Sequence, residues 1–165
     1  MGNKINQAYL LTGTNMGERE ANLQKANGLI EQKIGKIKEQ SKLYESQAWG
    51  KTDQPDFINQ ALLVETQLTP KETLTQILGI EAEMGRVRTA KWEERNIDID
   101  ILLYNDAVIN EPDLVIPHAH LHERNFALIP LMEIAGEVEH PVLKQNVEDI
   151  YFDCTDPLEV FLIEN

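Results

Sequence analysis

The pattern along this 165-residue chain predicts an α+β fold, ferredoxin-like β-α-β-β-α-β, with a mainly antiparallel four-stranded sheet and a helical addition at the C-terminus. Three observations predict it. Short apolar runs of strand length (Ala8-Tyr9-Leu10-Leu11, Ala61-Leu62-Leu63-Val64) are separated by stretches with apolar residues at helical spacing. Thr69-Pro70-Lys71-Glu72 carries the capping residue, the proline and the acid that open a helix. Residues 97–104 alternate, with Ile97, Ile99, Ile101 and Leu103 on one face and Asp98, Asp100 and Leu102 on the other.

The elements follow in order. The run 8–12 reads as a buried strand ended by Gly13, and 13–17 as a turn. Leu23, Ala26, Leu29 and Ile30 place a helix over 19–34, with Gly35 as its stop. Strands are expected over 37–45 and 59–67, joined by a polar loop that contains Trp49 and Gly50. The helix that begins at Thr69 should turn Leu74, Ile77, Leu78 and Met84 inward and end at Gly85. After the 97–104 strand come a small hairpin over 108–116 and a last helix over 125–135. The tail beyond His140 is weakly patterned. No repeat or linker divides the chain, so one domain over 1–165 is expected.

Composition narrows the function. Hydrophobic residues make up 42% and charged residues 26%, which is globular rather than disordered. No stretch reaches the roughly 20 apolar residues of a membrane span, and the single Cys154 suits a reducing compartment. A cytoplasmic monomer without membrane contact is the expectation. With 15 basic and 28 acidic residues the net charge is −13, which argues against a nucleic-acid surface. Against that background Arg86, Arg88, Lys91 and Arg95 fall within ten residues. Such a cluster is either a site for a small, highly charged anion or a solvated loop with surface ion pairs.

Asp98 and Asp100 are the sharpest chemical feature. Two carboxylates at i and i+2 of a strand share a face and resist ionising together unless a cation lies between them. Mg²⁺ accepts one or two carboxylates and takes its other oxygens from water and phosphate. The bland alternative is the polar side of an amphipathic edge strand. Acids for metal beside arginines for phosphate oxygens are the parts of phosphoryl transfer. No Gly-x-x-x-x-Gly-Lys loop is present. Gly13-Thr14-Asn15-Met16-Gly17 suits an anion cradle or a tight turn. His118, His120 and His122 alternate but lack companion ligands for zinc, and His118, after Pro117, is of more interest as a single donor to a phosphate. Phe57, Trp92 and Phe126 sit in or beside loops, where they could stack on a planar ligand or pack on loop backbone.

These pieces occur in a telling order: Asp53-Gln54-Pro55-Asp56-Phe57-Ile58-Asn59, Gly85-Arg86-Val87-Arg88, Trp92-x-x-Arg95-Asn96-Ile97-Asp98-Ile99-Asp100, Ile116-Pro117-His118 and Arg124-Asn125-Phe126. Together they resemble the motifs of hydroxymethyldihydropterin pyrophosphokinases, over about residues 8–136. The resemblance implies an ATP-dependent diphosphokinase of folate synthesis acting on 6-hydroxymethyl-7,8-dihydropterin. It implies that Asp98 and Asp100 hold two Mg²⁺ ions, that Arg86 and Arg95 are catalytic, and that Asp98 also assists the pterin alcohol. It further implies nucleotide contacts from Glu81, Arg86, Arg88, Trp92, Arg95, His118 and Arg124, ring walls from Phe57 and Phe126, and an edge contact from Asn59. This chain departs from the common pattern at Glu93-Glu94, where Gly-Pro is usual, at Ala119, where some relatives carry an aromatic, and at Thr14 in place of serine.

Overall fold

A computed structural model describes residues 4–15, 17–46, 56–85 and 97–163. The core is built on one long strand, β1 (Asn6–Thr14), which runs between β4 (Phe57–Thr66) and β5 (Asp98–Tyr104), antiparallel to both. β2 (Gly35–Gln40) pairs with β4. The order β5-β1-β4-β2, all antiparallel, is the ferredoxin-like arrangement expected from the sequence.

Three features extend it. The expected strand over 37–45 is two strands: β2, and β3 (Tyr44–Ser46), which pairs farther along the same β4. Ser41 makes the break, because its Oγ accepts from Ala61 N–H while its own N–H donates to the Ala61 carbonyl. A chain bonded to β4 through a side chain cannot keep the ladder regular. The weakly patterned tail supplies β8 (Val160–Leu162), which adds to β3 and brings the sheet to six strands rather than four. A separate hairpin, β6 (Ile109–Glu111) and β7 (Leu114–Ile116), precedes His118.

Each face of the sheet is covered. α1 (Arg19–Lys33) and α2 (Pro70–Glu83) bury Leu23, Ala26, Ile30, Ile77 and Ile80 against Ala8, Leu10, Leu62 and Val64. α3 (Asn125–Ala135) and α4 (Val147–Asp153) bury Leu128, Leu131, Val147 and Ile150 against Tyr9, Leu11 and Ala61. Burying each leucine, isoleucine or valine among them contributes about 1.5–3 kcal/mol relative to exposure. α2 begins as read: Thr69 Oγ1 accepts from Glu72 N–H and Glu72 Oε1 accepts from Thr69 N–H. Its inner arc differs, since Thr73, Ile77, Ile80 and Glu81 point inward while Leu78 is exposed. At 100° per residue, Leu78 cannot share the arc with Ile77 and Glu81.

Two glycines have packing reasons. Gly35 is the first residue of β2 rather than only a helix stop, and a Cβ there would lie 2.0 Å from the Glu65 carbonyl. Gly13 lies beside Asn59, as described below. A register shift between Tyr9 and Leu10 also breaks the alternation of β5, so that Leu102 and Leu103 both pack on the α3 side. Leu103 therefore leaves the face it was expected to share with Ile99 and Ile101.

Candidate active site

Strand parity and register gather the expected residues. On β4, Ile58, Leu62 and Val64 face α1 and α2, which turns Phe57 and Asn59 to the α3 face with Ala61. On β5, Ile99 and Ile101 face α1 and α2, which turns Asp98 and Asp100 to that same α3 face. Gly13 pairs with Asn59 on one side and with Asp98 on the other. Asn59, Gly13 and Asp98 thus form one row across three strands, spanning about 10 Å. Phe126, at the start of α3, packs on the cluster covering this face.

Gly13 is the floor of that row. A Cβ there would lie 2.3 Å from Asn59 Nδ2, so the Asn59 amide leans over the glycine. Asn59 Nδ2 donates to the Thr12 carbonyl at 3.4 Å. Its Oδ1 is buried and has no hydrogen-bond partner among the described residues. A buried amide oxygen without a donor is costly, and a ligand N–H would satisfy it.

Asp98 and Asp100 are half-buried, about 7 Å apart along the strand. Glu81 lies on the far side of their strand. It is 4% exposed, and its Oε2 accepts from Ile99 N–H at 2.9 Å. Because β5 is an edge strand, that N–H points away from β1 and needs a partner from outside the sheet. The structure therefore places Glu81 behind the carboxylate pair, on the backbone between its two members.

His118 follows the cis Ile116–Pro117 peptide, and its N–H donates to the Leu102 carbonyl. Its Nδ1 accepts from His120 N–H at 3.2 Å, which leaves the proton on Nε2. Burial, with Arg124 and His120 nearby, pushes its pKa down to about 4, so it is neutral at pH 7. Arg124 also lies over the Phe126 ring, 5.6 Å from its centre. Arg86, Arg88, Trp92 and Arg95, with Glu93 and Glu94, lie outside the described residues. Ala119 is exposed beside His118, while Thr14 is fully buried.

Sequence reading missed three supports. Arg19 Nη1 donates to Glu45 Oε2 and to the Asp56 carbonyl, both at 2.7 Å, and so fixes the entry to Phe57. Asp156 reaches α3 from the tail. Gly13 read as a turn residue, and nothing in its neighbours announces Asn59 across the sheet. A cavity of about 860 Å³ lies elsewhere, between α1, the β2–β3 connection and β8, and neither the carboxylate pair nor the two phenylalanines line it.

The donor set suits a hard divalent ion. Among the described residues no three His, Cys, Asp or Glu side chains converge, so a zinc-type site is absent from them. Two strand carboxylates leave most positions of a Mg²⁺ ion to water and phosphate, as that ion prefers.

A ferredoxin-like sheet that sets paired acids on one face, with Phe57 at the start of β4 and Phe126 at the start of α3, belongs here to a transferase of the kinase class. The model of the family described as 7,8-dihydro-6-hydroxymethylpterin-pyrophosphokinase (HPPK) matches residues 9–136. A 2-amino-4-hydroxy-6-hydroxymethyldihydropteridine pyrophosphokinase of Aquifex aeolicus is 41% identical over 141 residues, 86% of this chain and 88% of that protein. The protein of the same name from Bacillus subtilis is 40% identical, over 81% of each chain. Among solved structures, Plasmodium falciparum HPPK-DHPS, a triple mutant with SDX-DHP, superposes with a TM-score of 0.76 at 24% identity. It covers 92% of this chain, which spans 44% of that longer one, and the likeness speaks to the fold alone. The chain belongs to the 7,8-dihydro-6-hydroxymethylpterin-pyrophosphokinase family.

Proposed function

We propose that this chain transfers the pyrophosphoryl group of ATP to 6-hydroxymethyl-7,8-dihydropterin, giving AMP and the pterin diphosphate. The observation that carries the reading is the row Asn59-Gly13-Asp98, which sets an unsatisfied amide oxygen and a carboxylate pair on one face of the sheet. The hydroxymethyl oxygen attacks the β-phosphorus, the bond from that phosphorus to the α–β bridging oxygen breaks, and AMP leaves.

Phe57 and Phe126 wall the pterin ring, and Asn59 Oδ1 accepts from a ring N–H. Asp98 takes the proton of the hydroxymethyl group as its oxygen attacks. Asp98 and Asp100 would hold Mg²⁺, two ions as the family resemblance implies, and the metal would supply neutralisation of phosphate charge. His118 donates through Nε2–H to a phosphate oxygen and needs no protonation change to do so. Arg124 meets phosphate charge beside it. Arg86, Arg88, Arg95 and Trp92 complete the nucleotide side, as the family resemblance implies. Glu81 is assigned a different task from the expected nucleotide contact: its carboxylate holds Ile99 N–H, so it positions the acid pair.

No helix among the described residues is long and apolar enough to cross a membrane. The reading extends to a monomer, which sedimentation at assay concentration tests, in the cytoplasm, which cell fractionation tests. The deciding experiment for the reaction follows ATP conversion to AMP with and without the pterin alcohol. AMP formed only with pterin supports the transfer. Inorganic phosphate released without it identifies a phosphohydrolase instead.

A further inference from the structure

α3 carries Arg124 and Phe126 at its start, yet its cap residue Arg124 does not supply the cap. The cap comes from 31 residues away. Asp156 Oδ2 accepts from Asn125 N–H at 2.9 Å, and Asn125 Nδ2 donates to the Asp156 carbonyl at 3.2 Å. The other carboxylate oxygen accepts from Leu158 N–H at 3.0 Å. Both oxygens of Asp156 are engaged, and its negative charge sits at the positive end of an 11-residue helix.

The segment bearing Asp156 is itself tied on both sides. Before it, α4 buries Val147 and Ile150 against the cluster that also holds Leu128 and Leu131 of α3. After it, β8 joins the sheet beside β3. The tail is thereby a strap that passes the start of α3 at a set height. Without Asp156, Asn125 N–H loses its partner, and the first turn of α3 is free to fray. Arg124 and Phe126 are the residues on either side of Asn125.

We propose that Asp156 is a positioning residue of the active site, setting the Phe126 ring through the first turn of α3. This rests on the reading of Phe126 as a wall of the pterin pocket. It gives residues 154–162, outside the matched 9–136, a part in substrate recognition.

The experiment is a double-mutant cycle on the full chain. Pterin affinity is measured by calorimetry in the presence of Mg²⁺ and a non-hydrolysable ATP analogue. Thermal unfolding is recorded for every variant. Asp156→Ala should weaken pterin about tenfold, with kcat at saturating pterin changed less than threefold. Asp156→Asn, whose amide oxygen can still accept from Asn125 N–H, should recover most of the loss. In a Phe126→Ala background, Asp156→Ala should change pterin affinity less than twofold, because its target ring is gone. Asp153→Ala, in the same tail, should leave affinity unchanged. Full additivity of the Asp156 and Phe126 losses, or normal pterin affinity in a folded Asp156→Ala, would overturn the proposal. If Asp156→Ala does not fold, Asp156→Glu, which keeps the charge but displaces the carboxylate from Asn125 N–H, carries the same cycle in the two backgrounds. Phe57→Ala separates the levels: should it too bind pterin normally, the ring-pocket reading fails, whereas a loss there with none at Asp156 refutes the positioning role alone.

Discussion

Gly13→Ala tests the site with a single methyl group. A Cβ at residue 13 would lie 2.3 Å from Asn59 Nδ2 and 3.3 Å from its Cγ, but 3.5 Å from the Ile58 carbonyl. Backbone therefore tolerates the methyl, and the Asn59 amide does not. Nδ2 is the end of a side chain with two rotatable bonds, so the amide swings away and gives up its bond to the Thr12 carbonyl. That bond is long, and its loss with some crowding costs the fold on the order of 1 kcal/mol. Binding suffers more. Asn59 Oδ1 moves out of the row with Asp98, and a hydrogen bond lost from a buried site removes about 1–3 kcal/mol, or roughly fivefold to over a hundredfold in pterin affinity. ATP affinity should change less than about twofold, since the proposed partner of Asn59 Oδ1 is a ring N–H of the pterin and not phosphate. Calorimetry with each ligand and urea unfolding read the three quantities. Wild-type pterin affinity in a variant of unchanged fold would refute the reasoning, because it would show that the amide over Gly13 does not meet the substrate.

Asp98→Asn and Asp100→Asn should each lower turnover at least a hundredfold at saturating Mg²⁺ while unfolding stays cooperative, and near-normal activity in either would remove the two-carboxylate site. Glu81→Ala should cost about 1–3 kcal/mol by leaving Ile99 N–H without a partner, and should raise the Mg²⁺ concentration for half-activity severalfold. Glu81→Gln keeps an acceptor and should lose less on both counts; equal losses would deny the positioning role. Stability should fall in acid through His118, whose pKa stands at about 4 in the fold against 6.5 when unfolded. A lowered histidine pKa means the unfolded chain binds the proton first, so stability is intact above about pH 6.5 and declines towards pH 4, by on the order of 2–3 kcal/mol. His140, whose Nδ1 accepts from Val142 and Leu143 N–H, is lowered by burial and by His122, and acts in the same direction. Urea unfolding at pH 7.5 and 4.5 should show a smaller drop for His118→Gln than for the native chain, and an equal drop would refute the assignment.

Local chemistry made part of the structure legible. The capping box at Thr69 and Glu72, the alternation through Asp98 and Asp100, and the helix over 125–135 are set by neighbours within a few residues, and each stands where the sequence put it. What escaped depends on partners far along the chain. The break at Ser41 needs Ala61 across the sheet, the inward turn of Glu81 needs Ile99 N–H, and β8 needs the free edge of β3. A charged residue in a helix reads as solvent-facing, and only the edge position of β5 reveals why this one is buried. The site shows the same division. Phe57, Asn59, Asp98, Asp100 and Phe126 were named from motifs, while Arg19, Gly13 and Asp156 act on them through contacts of 26 residues or more and left no local signal.

These supports bear on how a chain of net charge −13 can receive a triphosphate. Acids near the site would repel ATP if their charge faced it. Glu81 instead turns a carboxylate oxygen to backbone behind β5, and Asp156 turns both of its oxygens to backbone at the start of α3. Backbone N–H dipoles offset part of each charge, and a carboxylate bound that way is oriented as well as compensated. His118 stays neutral, so it adds no cation that must be desolvated when phosphate arrives, yet it keeps an N–H to offer. That leaves Asp98 and Asp100 as the acids turned to the α3 face of β5, where a bound Mg²⁺, as proposed above, would turn their charge from a barrier into an attraction for ATP. The excess of acid in the composition and the handling of a polyanion are therefore compatible, because position on the sheet decides which carboxylates the ligand meets.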